Sequence, residues 1–148
     1  MIKGLHHTNL VVSDMEKTKD FYTEVLGLEI SLEKSIEGAE LSRGVNLPSS
    51  RVKVVLFTVP GSTTLVEAFQ YVSPSGRPID SDSKPNDMGF GHICFEVTDI
   101  EDAYQGLLQK GVEFVSTPVT LANGVRWCYF YGPDREFLEV LQLPPETP

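Results

Sequence analysis

Apolar residues along this chain follow two rhythms, a period of two and a helical period, and the same succession occurs twice. From His7 to Val12 the side chains alternate. Thr8, Leu10 and Val12 share one face and His7, Asn9 and Val11 the other, the pattern of a half-buried strand. Helical spacing follows, with Met15, Tyr22, Val25 and Leu26 along one stripe. Ser13-Asp14-Met15-Glu16 reads as a capping box: the hydroxyl accepts from an orphan amide and the Glu reaches back to the cap. Gly27 stands where a left-handed helix cap is needed. Strands are expected near residues 28–34, 52–59 and 64–71, the last after the turn Pro60-Gly61-Ser62.

The second half repeats the first. His7 and Asp14 reappear as His92 and Asp99, both 85 residues on. His92-Ile93-Cys94-Phe95-Glu96-Val97 alternates as the first strand does, and Thr98-Asp99-Ile100-Glu101 reads as a second capping box. A stripe of Ile100, Ala103, Leu107 and Leu108 leads to Gly111. Strands are expected near 113–120, 125–131 and 136–143, the last after Gly132-Pro133-Asp134. The two closing strands match, Glu67-Ala68-Phe69-Gln70 against Glu139-Val140-Leu141-Gln142. The reading is therefore one α+β domain over 1–148: module 1 at about 4–72, a Ser-, Pro-, Asp- and Gly-rich linker at about 73–90, and module 2 at about 91–143. Pro144-Pro145-Glu146-Thr147-Pro148 reads as a loose tail.

Composition narrows the partners. A chain of 148 residues can bury a working core unaided. A net charge of −9 repels a polyphosphate backbone, so nucleic acid is not expected. No apolar run approaches membrane-spanning length and no leader-like segment opens the chain, so a cytoplasmic protein without membrane contact is expected. Two cysteines, Cys94 and Cys128, suit buried thiols better than a disulfide framework.

Candidate chemistry comes from the repeat. Two of the three histidines, His7 and His92, occupy equivalent positions, and Glu67 and Glu139 lie mid-strand in apolar surroundings where an ionised carboxylate is costly. Taken singly, a strand His is usually structural and a strand Glu usually solvated; two of each at matching positions point to one divalent cation. Alternation turns His7, His92 and Glu139 away from the helices, and Glu67 follows by its match. Two imidazoles and two carboxylates suit Zn, Ni, Co, Mn or Fe with two positions open. A small-molecule substrate with adjacent oxygens would bind there, and Glu67 or Glu139 would move a proton as the catalytic base. His6 is expected to face away from His7. Arg126, Trp127 and Tyr129 are candidates for shaping the pocket.

His7-Thr8-Asn9-Leu10-Val11-Val12-Ser13-Asp14, Phe21-Tyr22-Thr23-Glu24-Val25-Leu26-Gly27, Gly91 to Val97, and Gly132-Pro133-Asp134 through Leu138-Glu139 resemble the vicinal oxygen chelate superfamily, which includes glyoxalase I, epimerases, dioxygenases and bleomycin resistance proteins. The resemblance implies paired βαβββ modules forming a curved eight-stranded mixed sheet around a metal cavity, with His7, Glu67, His92 and Glu139 at the ligand positions. It also implies a homodimer and a glyoxalase-like lyase or isomerase working through an enediolate-type intermediate. Binding without catalysis and Fe(II)-dependent oxygenation are the alternatives within the superfamily. Val11 stands where bacterial glyoxalase I carries an Arg, and Tyr71 where it carries an Asn. Val55 stands at about the place where methylmalonyl-CoA epimerases carry a catalytic acid.

Overall fold

The computed structural model describes residues 2–145, so the last three residues of the expected tail lie outside the described residues. Two compact units, Met1–Pro78 and Ile79–Pro148, carry one module each. In the first, β1 (His7–Val11) leads through a helix into β2 (Glu29–Glu37), β3 (Arg51–Thr58) and β4 (Leu65–Ser73). These form a four-stranded sheet of order β1-β4-β3-β2, with β1 parallel to β4 and the other pairs antiparallel. In the second, β5 (Ile93–Glu96) is followed by a helix, β6 (Val119–Thr120), β7 (Arg126–Tyr131) and β8 (Phe137–Gln142), in the order β5-β8-β7-β6. The eight expected strands are thus divided by their hydrogen bonds into two sheets of four.

One face of each sheet is the core. Leu10, Val55, Phe57, Val66 and Ala68 are buried in the first unit, beneath α1 (Met15–Asp20) and its continuation as a π-helical turn, Phe21–Val25. Tyr22 on that turn is fully buried and stacks on Phe57 at 5.3 Å between ring centroids. Gly27 has φ +77° just past the helix, as a left-handed cap requires, and Gly111 repeats it at φ +83°. In the second unit Ile93, Cys128, Phe130, Leu138 and Val140 are buried with Ile100 and Leu107 of the helix Ile100–Gln109. Leu108, expected on that stripe, is 39% exposed, and Tyr104 packs against Phe114 instead.

Two local readings are corrected, and two further features went unread in the sequence. The helix caps are Asp14 and Asp99, not the preceding Ser13 and Thr98. Asp14 accepts from the amides of Glu16 and Lys17, and Asp99 from those of Glu101 and Asp102. A carboxylate gains from the helix dipole as well as from the hydrogen bonds. The expected strand at 113–120 is cut to Val119–Thr120 plus a single bridge between Phe114 and Phe130. Pro118 has no amide to donate to a ladder. A helix that the periodicity did not announce, α2 (Ala39–Val45), starts after Gly38 and ends on Asn46 in the left-handed region; the long helix of the second unit is therefore α3. Arg135 itself adopts φ +69° in the turn before β8, with its guanidinium 3.7 Å from the Tyr131 ring centroid and ion-paired to Glu113. No helix among the described residues is long and apolar enough to cross a membrane.

Candidate metal centre

Register decides which side chains meet on the face opposite the helices. In the parallel ladder of the first unit, Asn9 lies directly opposite Glu67, and Leu56 of β3 flanks Glu67 on the other side. The His7 Nε2 is 3.3 Å from Glu67 Oε2, and the Asn9 amide donates to the same oxygen at 2.9 Å. The Glu67 side chain is only 14% exposed, so these groups replace most of its water. His6 does not face away: its Nδ1 lies 2.8 Å from the Nδ1 of His7, with the rings edge to face. Strand alternation fails there because β1 begins only at His7. One of the two Nδ1 atoms carries the shared proton, which leaves Nε2 of His7 aimed at the carboxylate.

The second unit repeats this geometry. Cys94, 85 residues after Asn9, lies opposite Glu139, with Tyr129 on its other side. His92, just before β5, places Nε2 2.7 Å from Glu139 Oε2. Glu139 is buried, at 7% exposure. Cys94 is exposed, against the expectation of two buried thiols, but partial burial, then the Glu139 carboxylate that its thiol hydrogen-bonds, push the thiol up to about 12, so it stays protonated at neutral pH. The same two causes, burial first, raise the Tyr129 phenol. Burial likewise pushes the Cys128 thiol on the core face up to about 11.

Each closing strand also anchors a helix start. Gln70 accepts from the Met15 amide at 3.2 Å and donates to the Ser13 carbonyl at 2.8 Å, and Gln142 accepts from the Ile100 amide at 3.0 Å. Both glutamines stand three residues after the acid, on the helix side of the strand. The signal for them, as for Asn9, was the repeat itself: each has a partner at the equivalent place. Arg126 is on the helix side, paired with Glu101, and so does not shape the site. Trp127 and Tyr129 share the face of Glu139. Val55, aligned with an epimerase acid, lies beside Ala68 in the core; Leu56 is its neighbour on the site face.

Among the described residues no group of three or more His, Cys, Asp and Glu side chains stands ready to hold a cation. The structure brings together two pairs, His7 with Glu67 and His92 with Glu139. Their chemistry fits a metal. Cis donors at bonds of about 2.0–2.2 Å lie about 3 Å apart, and the observed separations of 3.3 and 2.7 Å bracket that value. Each pair would exchange the imidazole proton for the cation.

The profile of the Glyoxalase/Bleomycin resistance protein/Dioxygenase superfamily matches residues 4–140. The chain belongs to that superfamily, also called the vicinal oxygen chelate superfamily. It is 28% identical over 152 residues to a 2-epi-5-epi-valiolone epimerase from Actinomyces sp., covering 98% of this chain and 82% of the relative. It is also 28% identical to the lactoylglutathione lyase of Pseudomonas aeruginosa over 145 residues, 93% of this chain and 81% of the relative. Among solved structures, a glyoxalase family protein from Bacillus cereus superposes with a TM-score of 0.86 at 21% identity, over 97% of each chain, a likeness of fold.

Proposed function

We propose that this protein is a metal-dependent, glyoxalase-like lyase or isomerase, acting on a small substrate with two adjacent oxygens through an enediolate-type intermediate. The observation that carries the reading is the repeat-related pair of His–Glu contacts, His7–Glu67 and His92–Glu139. These four residues are the proposed ligands of one divalent ion, Zn, Ni, Co, Mn or Fe. The donors come from one chain or, in a homodimer, from two. When bound, the ion supplies Lewis-acid stabilisation of negative charge on the substrate oxygens. The protein does the rest. One of Glu67 and Glu139 takes the proton from the hydrogen-bearing carbon of the oxygen pair; it returns the proton to the neighbouring carbon in isomerisation, whereas in epimerisation the other carboxyl group protonates the opposite face of the same carbon. Asn9 holds Glu67 in orientation through its amide hydrogen bond. Leu56 and Tyr129 flank the two carboxylates and exclude water from the carbon that loses its proton. An epimerase and a lyase among the relatives are both consistent with this shared first step.

The test is deuterium uptake from heavy water at the oxygen-bearing carbon that carries a hydrogen, measured by NMR across small hydroxyketones and hydrated 2-oxoaldehydes. Exchange is expected to stop with chelator, to return with metal, and to fall at least about a hundredfold in Glu67→Gln or Glu139→Gln. Full exchange by the metal-stripped protein would overturn the proposal.

A further inference from the structure

The sheet of the second unit has two apolar faces, and only one is needed for the core. Cys128, Phe130, Leu138 and Val140 fill the helix side and are fully buried. The opposite face carries Trp127, Tyr129, Tyr131, Phe137 and Leu141, all only half-buried, around Glu139. The Tyr129 ring lies 4.9 Å from the His92 ring, and Trp127 lies 4.9 Å beyond, edge to face. Phe137 is 6.3 Å from Tyr129 on the other side. An accessible aromatic wall therefore begins at a proposed metal ligand and runs one strand step away from it.

Charge on the same face is one-sided. Cys94, Glu96 and Glu139 share it, with His92 at its edge. Arg126, the one basic residue on β5 to β8, points to the helix side and is paired with Glu101. Arg135 in the neighbouring turn is held by Glu113 and the Tyr131 ring. A phosphate or carboxylate tail would meet acids and π faces there, with no free cation among the described residues of β5 to β8. A flat or ring-shaped apolar group would meet surfaces that stack on it.

Resting on the metal-dependent reading above, we propose that the substrate is a ring compound: a six-membered ring joined directly to the oxygen-bearing carbons, lying on Trp127 and Tyr129 while its adjacent oxygens sit at the His92–Glu139 pair. Trp127 is two residues from Tyr129 along β7, a step of about 6–7 Å. A ring attached beside a pair of oxygens is centred roughly 4 Å from them by ordinary bond lengths, short of that step, so it covers Tyr129 and brings its far edge to Trp127. An aromatic ring and a saturated one share this chemistry, since either presents a face to stack. The wall makes Trp127 the specificity-determining residue; it touches the ring and none of the metal donors.

The test titrates the full-length chain with Mn(II) alone, by calorimetry. The Mn(II)-loaded chain is then titrated with three ligands that share one head of adjacent oxygens: mandelate (phenyl), hexahydromandelate (cyclohexyl) and lactate (methyl). At least one ring ligand is expected to bind about tenfold or more tighter than lactate. The leading ligand tells an aromatic substrate from a saturated one. Trp127→Ala, and the volume-sparing Trp127→Leu, are expected to cut that preference to about threefold or less, leaving Mn(II) and lactate binding as they were. Equal binding of all three ligands, or a preference untouched by both Trp127 variants, would overturn the ring proposal and leave the metal reading standing. Failure of Mn(II) itself to bind would bring down both.

Discussion

Replacing Asn9 by Ala removes one donor from the first His–carboxylate pair and leaves both proposed ligands in place. The lost contact is the 2.9 Å hydrogen bond from the Asn9 amide to Glu67 Oε2, the oxygen that also meets His7. A hydrogen bond to a charged group contributes about 1.5–3 kcal/mol. The Glu67 side chain is 14% exposed, which limits replacement by water, while His7 at 38% leaves one side of the pair open. A figure toward the lower end, about 1.5–2 kcal/mol, follows. It corresponds to a loss of roughly 10–30-fold in metal affinity, within the roughly 10–100-fold typical of groups that orient metal ligands. Cys94 stands at the equivalent place opposite Glu139, but a thiol is a weak donor, so Cys94→Ala is expected to cost about threefold or less. The assay is chelator-competition calorimetry of the full chain, with Val11→Ala as a control on the same face and circular dichroism to confirm folding. Asn9→Ala binding metal within twofold of the parent, with its fold intact, would refute the argument that Asn9 positions Glu67.

Other outcomes follow from the same contacts. Gln70→Ala should lower unfolding free energy by about 2 kcal/mol and Gln142→Ala by about 1 kcal/mol, because the first loses two hydrogen bonds and the second one; urea titration reads both, and equal losses would count against these anchors. The Cys128 thiol keeps its proton up to about 11 when folded, whereas the unfolded chain loses it near 9. Stability is then full below pH 9 and falls as pH rises toward 11, by on the order of 2 kcal/mol. Urea midpoints at pH 8 and 10.5 for the parent and Cys128→Ala should show a shallower fall in the variant; parallel falls would contradict the assignment. The Cys94 thiol, pushed up to about 12, should alkylate with iodoacetamide roughly a thousandfold more slowly at pH 7 than an ordinary thiol, and its rate should still climb about tenfold per pH unit beyond pH 9 in the metal-free protein. A rate that levels off near pH 9 would show an ordinary thiol.

Much of the architecture was legible because it occurs twice. Strand alternation from His7 to Val11, the acid in each closing strand, and the glycines past each helix all held, since each follows from a backbone requirement that a neighbouring residue cannot override. The caps were misplaced by one residue because a Ser or Thr beside an Asp offers two acceptors, and only the geometry selects the charged one. Helix α2 left no trace because none of its seven residues is buried, so it has no apolar stripe to detect. His6 was misread because the strand rule was applied one residue before the strand begins. Of the four expected ligands the structure brings together two in each unit, His7 with Glu67 and His92 with Glu139, and their union on one ion is a proposal. The hydrogen bond from Asn9 and the aromatic surroundings of His92 depend on ladder register, which a sequence specifies only through the packing of both faces.

Elemental analysis of the full chain purified without chelator, beside His7→Ala, Glu67→Ala, His92→Ala and Glu139→Ala, goes straight to the question of whether two pairs serve one ion. The expected result is about one divalent ion per chain in the parent and a large loss in every variant, whichever unit the change falls in. Undiminished metal after the His7–Glu67 or the His92–Glu139 pair is removed entirely would contradict it.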